Sequence, residues 1–241
     1  MDDLPVIHLC LFTLPTSLHT LSGPIIYHNT RIIGICGIPK AHANPRLDGW
    51  FFSDFFAFNY LLKGLGSSQT WFATTTASEL VETYGEFLHG NPCRDRKIVL
   101  SKDLLDRGEI TKVTVVPEDG FLHAAMEALQ TEFRLARETG SPILLLLFCH
   151  GDEETKGVFL GDKTMLQIED VRRMIGAMHN DDVALTVIST ACFSGGWSVC
   201  VSLNATTSTA AGPDNNESES WTRSKSVRSR LCGSIYHMHQ H

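Results

Sequence analysis

Two short blocks of this chain carry residues able to do acyl-transfer chemistry. Leu144-Leu145-Leu146-Leu147-Phe148-Cys149 runs into His150-Gly151-Asp152. Val183-Ala184-Leu185-Thr186-Val187-Ile188-Ser189-Thr190-Ala191 runs into Cys192-Phe193-Ser194-Gly195-Gly196. A thiol near neutral pH is mostly protonated, and an adjacent imidazole takes its proton as a bond to carbon forms. Acyl transfer also needs donors for the developing oxyanion. Gly151 can present its backbone N–H without side-chain obstruction, and the N–H of Cys192 can supply a second donor. Gly195 and Gly196 let the chain turn sharply and keep the thiol open. A lone cysteine or histidine at a strand end is more often structural. The joint pattern points to His150 as base and Cys192 as nucleophile.

Positioning these two residues requires two neighbouring strands. Apolar, β-branched runs that end in glycine-marked turns read as buried parallel strands. In an open α/β sheet the chemistry gathers outside the carboxyl ends of the strands. Further strands are expected at Arg31–Gly37, Thr70–Thr76 and Lys112–Val116, and a small hairpin around Val158–Leu160. Helices are expected at Asp54–Gly64, Phe121–Glu138 and Gln167–Met178, with shorter pieces near Ser78–Phe87 and Ser101–Asp106. In the second long helix Leu122, Met126, Leu129, Phe133 and Ala136 share one face. The order alternates strand and helix, which predicts an α/β fold with a mostly parallel sheet covered on both faces. Adjacent residues on a strand point to opposite faces, so Cys149 and His150 are not expected to share a metal ion. No metal or other cofactor is expected.

Composition narrows the function classes. The chain has 241 residues, 43% of them hydrophobic, and a formal net charge of -7. It lacks the clustered Lys and Arg that phosphate contacts need, which argues against nucleic-acid binding. No apolar stretch reaches the roughly 20 residues of a membrane span. Asp2 and Asp3 stand where a signal peptide would be basic, and the seven cysteines include no CxxC pair. A soluble, cytoplasmic protein is expected.

The blocks Phe148-Cys149-His150-Gly151-Asp152 and Ser189-Thr190-Ala191-Cys192-Phe193-Ser194-Gly195-Gly196 resemble the signature of the caspase-like cysteine peptidases. Within that group the chain is most similar to the legumain type. Asn204 to Pro213, followed by Glu217-Ser218-Glu219-Ser220-Trp221, resembles the strand and loop that line the first substrate pocket there. The resemblance spans roughly residues 30–222, and these three blocks carry it. It implies a caspase-like three-layer α/β/α sandwich and a peptide or protein substrate, cleaved by His150 and Cys192 through a thioester. It places Ser218 and Ser220 near the substrate side chain, and Asp152 and Thr190 are further candidates for substrate contact. Two departures stand out. Thr190 replaces the acidic residue that legumains place before the Ala-Cys pair. Trp50 and Phe51 stand where their basic pair would precede a helix starting at Asp54.

The expected organisation is a poorly ordered segment at 1–25, a catalytic domain at 26–222 and a ragged end at 223–241. The resemblance implies a further strand and helix after the pocket loop, and the chain stops at His241. A truncated sheet edge would favour self-association or a protein partner. Two other functions use the same features: a transamidase or peptide ligase with the same dyad, and a catalytically inactive scaffold.

Overall fold

The structure, a computed structural model, describes Ile7–His8 and residues 25–90, 96–177, 183–200, 203 and 205–211. Its centre is a six-stranded parallel sheet. The strands in chain order are β1 (Arg31–Cys36), β2 (Ser68–Ala73), β3 (Thr114–Val115), β4 (Ile143–Phe148), β5 (Leu185–Ser189) and β6 (Ala205–Thr209). They lie in the order β6-β5-β4-β1-β2-β3. The helices are α1 (Gly49–Leu61), α2 (Ala77–Tyr84), α3 (Lys102–Asp106), α4 (Phe121–Thr139), α5 (Ile168–Ala177) and α6 (Gly195–Val199). This is the three-layer α/β/α sandwich expected from the strand–helix alternation.

The central strands are apolar on both sides, and each side feeds its own core. Leu144, Leu146 and Phe148 of β4 pack with Ile32 and Cys36 of β1 beneath the α1 layer. Ile143, Leu145 and Leu147 pack with Ile33 and Ile35 against α4 and α5. The period-2 alternation of a strand accounts for this division. Polar anchoring adds to it at the opposite end of the sheet. Glu132 of α4, buried over the sheet, accepts from Arg31 of β1 and from Ser68 and Thr70 of β2.

Helix α1 begins at Gly49 rather than at Asp54, which lies inside it. Pro45 and Gly49 mark a turn, but Trp50-Phe51-Phe52 continue the apolar helical run, and burial of their rings outweighs the local loop signal. Phe51, Phe52, Phe55 and Phe56 are all fully buried. The helix is apolar nearly all round because it has cover on both sides. Beneath it lies the sheet, and packed on its other side is an antiparallel pair, Phe87–His89 with Lys97–Leu100. Asp54 faces His89 Nδ1 of that pair at 2.9 Å. These two short strands, in a stretch of mixed composition, have no clear sequence period, and only packing on α1 defines them. Trp50 and Phe51 therefore occupy the first turn of α1, preceded by Arg46-Leu47-Asp48.

Elsewhere Val158–Phe159 pairs with Met165–Leu166, the hairpin expected near Val158. Ile7–His8, in the segment expected to lack order, pairs antiparallel with Ile25–Ile26. The segment after Cys200 supplies β6, parallel to β5. Residues 212–241 fall outside the described residues. Among those described, no helix is long and apolar enough to cross a membrane.

Gly34 of β1 stands opposite Trp71 of β2. A Cβ there would overlap the indole ring, which is itself fixed edge-on against Phe55 at a centroid distance of 5.3 Å. Gly34→Ala is expected to lower stability by about 1–3 kcal/mol through overpacking, read as a lower urea midpoint, with partial recovery in the Gly34→Ala/Trp71→Leu double variant.

Candidate active site

The β4–β5 ladder decides where the dyad stands. Its register pairs Ile143 with Leu185 and Leu147 with Ser189. The same offset, carried three residues past the last pair, brings Cys149 level with Ala191 and His150 level with Cys192 along the two chains. Two contacts follow the chain past the ladder. Thr190 N–H donates to Leu147 O at 3.0 Å, and Gly151 lies directly against the carbonyl of Cys192. Alternation assigns the faces. Cys149 and Ala191 belong to the core under α4 and α5, whereas His150 lies on the α1 side. There its ring meets the buried Phe51 edge-on, at 4.8 Å and 75°. His150 and Cys192 are both partly exposed at the carboxyl edge of the sheet.

Asp48 is the site residue that sequence reasoning missed. It is the N-cap of α1, but its side chain makes no capping bond. Its Oδ2 instead lies 3.2 Å from His150 Nε2 and 3.5 Å from His42 Nδ1. An imidazole that donates Nε2–H to a carboxylate keeps Nδ1 as its proton acceptor. The Asp48 carboxylate and the His150 imidazole therefore form a pair at the carboxyl edge of the sheet. The available signal was an Asp directly before an apolar helical run, readable only with the helix start placed at Gly49.

Gly151, the expected oxyanion donor, is held between the hairpin and the Cys192 turn. It forms an isolated antiparallel bridge with Val158. The two flanking bonds, Phe159 N–H to His150 O at 2.9 Å and Asp152 N–H to Gly157 O at 3.0 Å, use its neighbours. In such a pair the central residue's own N–H turns away from the partner strand. A Cβ on Gly151 would collide with the Cys192 carbonyl, so only glycine fits. The Cys192 turn is held by Ala191 N–H donating to Ser189 Oγ at 3.2 Å and by Ser194 Oγ–H donating to Ala191 O at 2.6 Å. The trans peptide directs the Cys192 N–H away from that Ala191 carbonyl. Phe193 then takes a left-handed φ of 56°.

The remaining expected site residues are placed as follows. The carboxylate of Asp152 accepts from the N–H and the hydroxyl of Thr155, both at 2.8 Å. Those bonds, the backbone one first, hold its carboxyl below the usual range. It closes the turn that follows His150. Thr190 sits half-buried at the end of β5, its hydroxyl 3.5 Å from Leu147 O. Ser218 and Ser220 lie outside the described residues. Cys149 is fully buried, and burial pushes its thiol up to about 12. Burial likewise raises the Cys36 thiol well above its ordinary value.

No protein-family model matches this chain and no curated protein matches it. The resemblance therefore rests on the three sequence blocks alone.

These burial differences predict a labelling pattern. Iodoacetamide at pH 8 is expected to alkylate Cys192 and Cys200 in the native protein and to spare Cys36 and Cys149 until it is denatured. Peptide mass mapping reads this directly, and modification of native Cys149 at the rate of Cys192 would contradict the burial assignment.

Proposed function

We propose that this chain is a cysteine peptidase in which His150 and Cys192 cleave a peptide bond through a thioester. The observation that supports the reading is the β4–β5 register, whose offset carries on to His150 and Cys192 at the carboxyl edge of the sheet, with Gly151 packed against the Cys192 carbonyl. His150 takes the Cys192 proton as Sγ bonds to the substrate carbonyl carbon. The carbonyl oxygen becomes an oxyanion facing the N–H groups of Gly151 and Cys192. Collapse breaks the C–N bond, and the imidazolium returns its proton to the departing amine. Water, deprotonated by the same imidazole, then attacks the thioester carbonyl. The acid is released and the thiol regains its proton. Asp48 holds the ring during both halves and stabilises its charged form. Phe51 packs on the ring and limits its rotation.

The proposal includes a peptide or protein substrate and a reducing, cytoplasmic setting. Cys36, Cys149, Cys192 and Cys200 form no disulfide, which suits a compartment that keeps thiols reduced. Asp48 has no part in the sequence resemblance, yet it completes the set that thiol acyl transfer requires: nucleophile, base, orienting carboxylate and oxyanion donor.

A peptidyl acyloxymethyl ketone is the direct probe. It is expected to label Cys192 in the wild-type protein and to leave His150→Ala unlabelled. Equal labelling of both would sink the proposal and favour a scaffold that has lost its chemistry. On a cleavable peptide, Cys192→Ala is expected to abolish turnover and His150→Ala to reduce it by about 10²–10⁴-fold. Asp48→Asn should cost about 100-fold, mostly in kcat, because it misplaces the ring rather than removing it. Gly151→Ala should lose activity while retaining the fold at a cost of about 1–3 kcal/mol. Comparing kcat, KM and urea midpoints across this series separates the roles.

A further inference from the structure

Among the described residues, two non-glycine residues have left-handed backbone, Lys156 at φ 59° and Phe193 at φ 56°. They touch each other. The Lys156 ammonium lies 5.3 Å from the centre of the Phe193 ring, within cation–π range. One belongs to the loop that leaves His150, the other directly follows Cys192. Left-handed conformations at such residues persist where the surroundings over-determine them, and three further contacts do so here. The indole N–H of fully buried Trp197 donates to Lys156 O at 2.8 Å. Gly196 gives up its side chain to the Lys156 stem: a Cβ there would come within 2.6 Å of Lys156 Cβ and 2.7 Å of its Cγ. Lys156 N–H donates to Asp152 O at 3.0 Å, inside the turn that Asp152 and Thr155 close.

We infer that Lys156 is a positioning residue, clamping the His150 loop to the Cys192 turn so that thiol, imidazole and Gly151 N–H keep one geometry. The inference rests on the peptidase reading and adds a residue that acts through the loops on either side of the dyad. The β4–β5 ladder ends at Leu147 and Ser189. Beyond it the two loops diverge in sequence, and the Lys156–Phe193 contact ties them again past the reacting residues. The ammonium sits on the Phe193 ring while Trp197 holds the backbone, so side chain and main chain of Lys156 are both engaged.

The test compares two reactions of the same thiol in the full chain. A neutral peptidyl acyloxymethyl ketone needs base, thiol and oxyanion donor together, whereas iodoacetamide needs thiolate alone. Lys156→Met keeps the stem and removes the charge. It is expected to slow probe labelling of Cys192 by about 10-fold or more, the scale of a small misplacement, with iodoacetamide alkylation near the wild-type rate. Lys156→Arg should restore probe labelling, since a guanidinium also stacks on an aromatic face. Gly196→Ala, which displaces the same stem from the other side, should reproduce the Lys156→Met asymmetry. It serves as the second variant if Lys156→Met lacks a cooperative melt. Wild-type probe rates in Lys156→Met, or equal losses in both reactions, would overturn the clamp. Wild-type labelling independent of His150 would instead overturn the peptidase reading on which it stands.

Discussion

The site depends on one backbone ladder. Five residues of β4 pair in parallel with five of β5, and a one-residue slip would move every side chain to the other face. Leu144, Leu146 and Phe148 are buried on one side, and Ile143, Leu145 and Leu147 on the other. A shift by one residue would exchange the two cores. The same constraint that holds the sheet together therefore sets His150 level with Cys192. It also separates His150 from Cys149, which is in the opposite core with its thiol held protonated. Two adjacent residues thus acquire opposite characters from the period of a strand.

Past the strand ends the ladder no longer acts, and position is maintained by contacts between loops. Gly151 presses on the Cys192 carbonyl, and the small hairpin from Val158 closes over His150 through its carbonyl. Aromatic packing completes the arrangement. Phe51 is buried in α1, and its edge-on contact with His150 contributes only about 0.5–1.5 kcal/mol. Its larger effect is to give the imidazole a rigid wall while Asp48, three residues earlier, faces Nε2. Helix α1 thus places two unlike groups on one imidazole, one polar and one apolar, and the antiparallel pair of Phe87–His89 and Lys97–Leu100 keeps that helix pressed to the sheet.

The central strands β1, β2, β4 and β5, the long helix α4 and the candidate residues His150 and Cys192 at two strand ends were legible because their signals are local. Six apolar residues ending in His-Gly need a buried strand, and a 3.6-residue apolar repeat from Phe121 needs a helix. The start of α1 was not legible in the same way. Pro45 and Gly49 signal a loop, and the outcome turned on whether Trp50, Phe51 and Phe52 would find cover. That cover comes from Phe87 and Leu100, distant in sequence. Asp48 was hidden for the same reason, since its meaning depends on where the helix begins.

Residue types and strand periodicity determined the α/β class, the parallel sheet and the placing of His150 and Cys192 just past two strand ends, because a strand interior must be apolar and a turn after it needs glycine. Long-range packing decided the rest. Which strands are neighbours, which face His150 takes, and that Asp48, Phe51 and Gly151 converge on it depend on contacts between segments separated by tens to more than a hundred residues. Local composition does not encode such contacts, since they form only when burying both cores at once selects a single register.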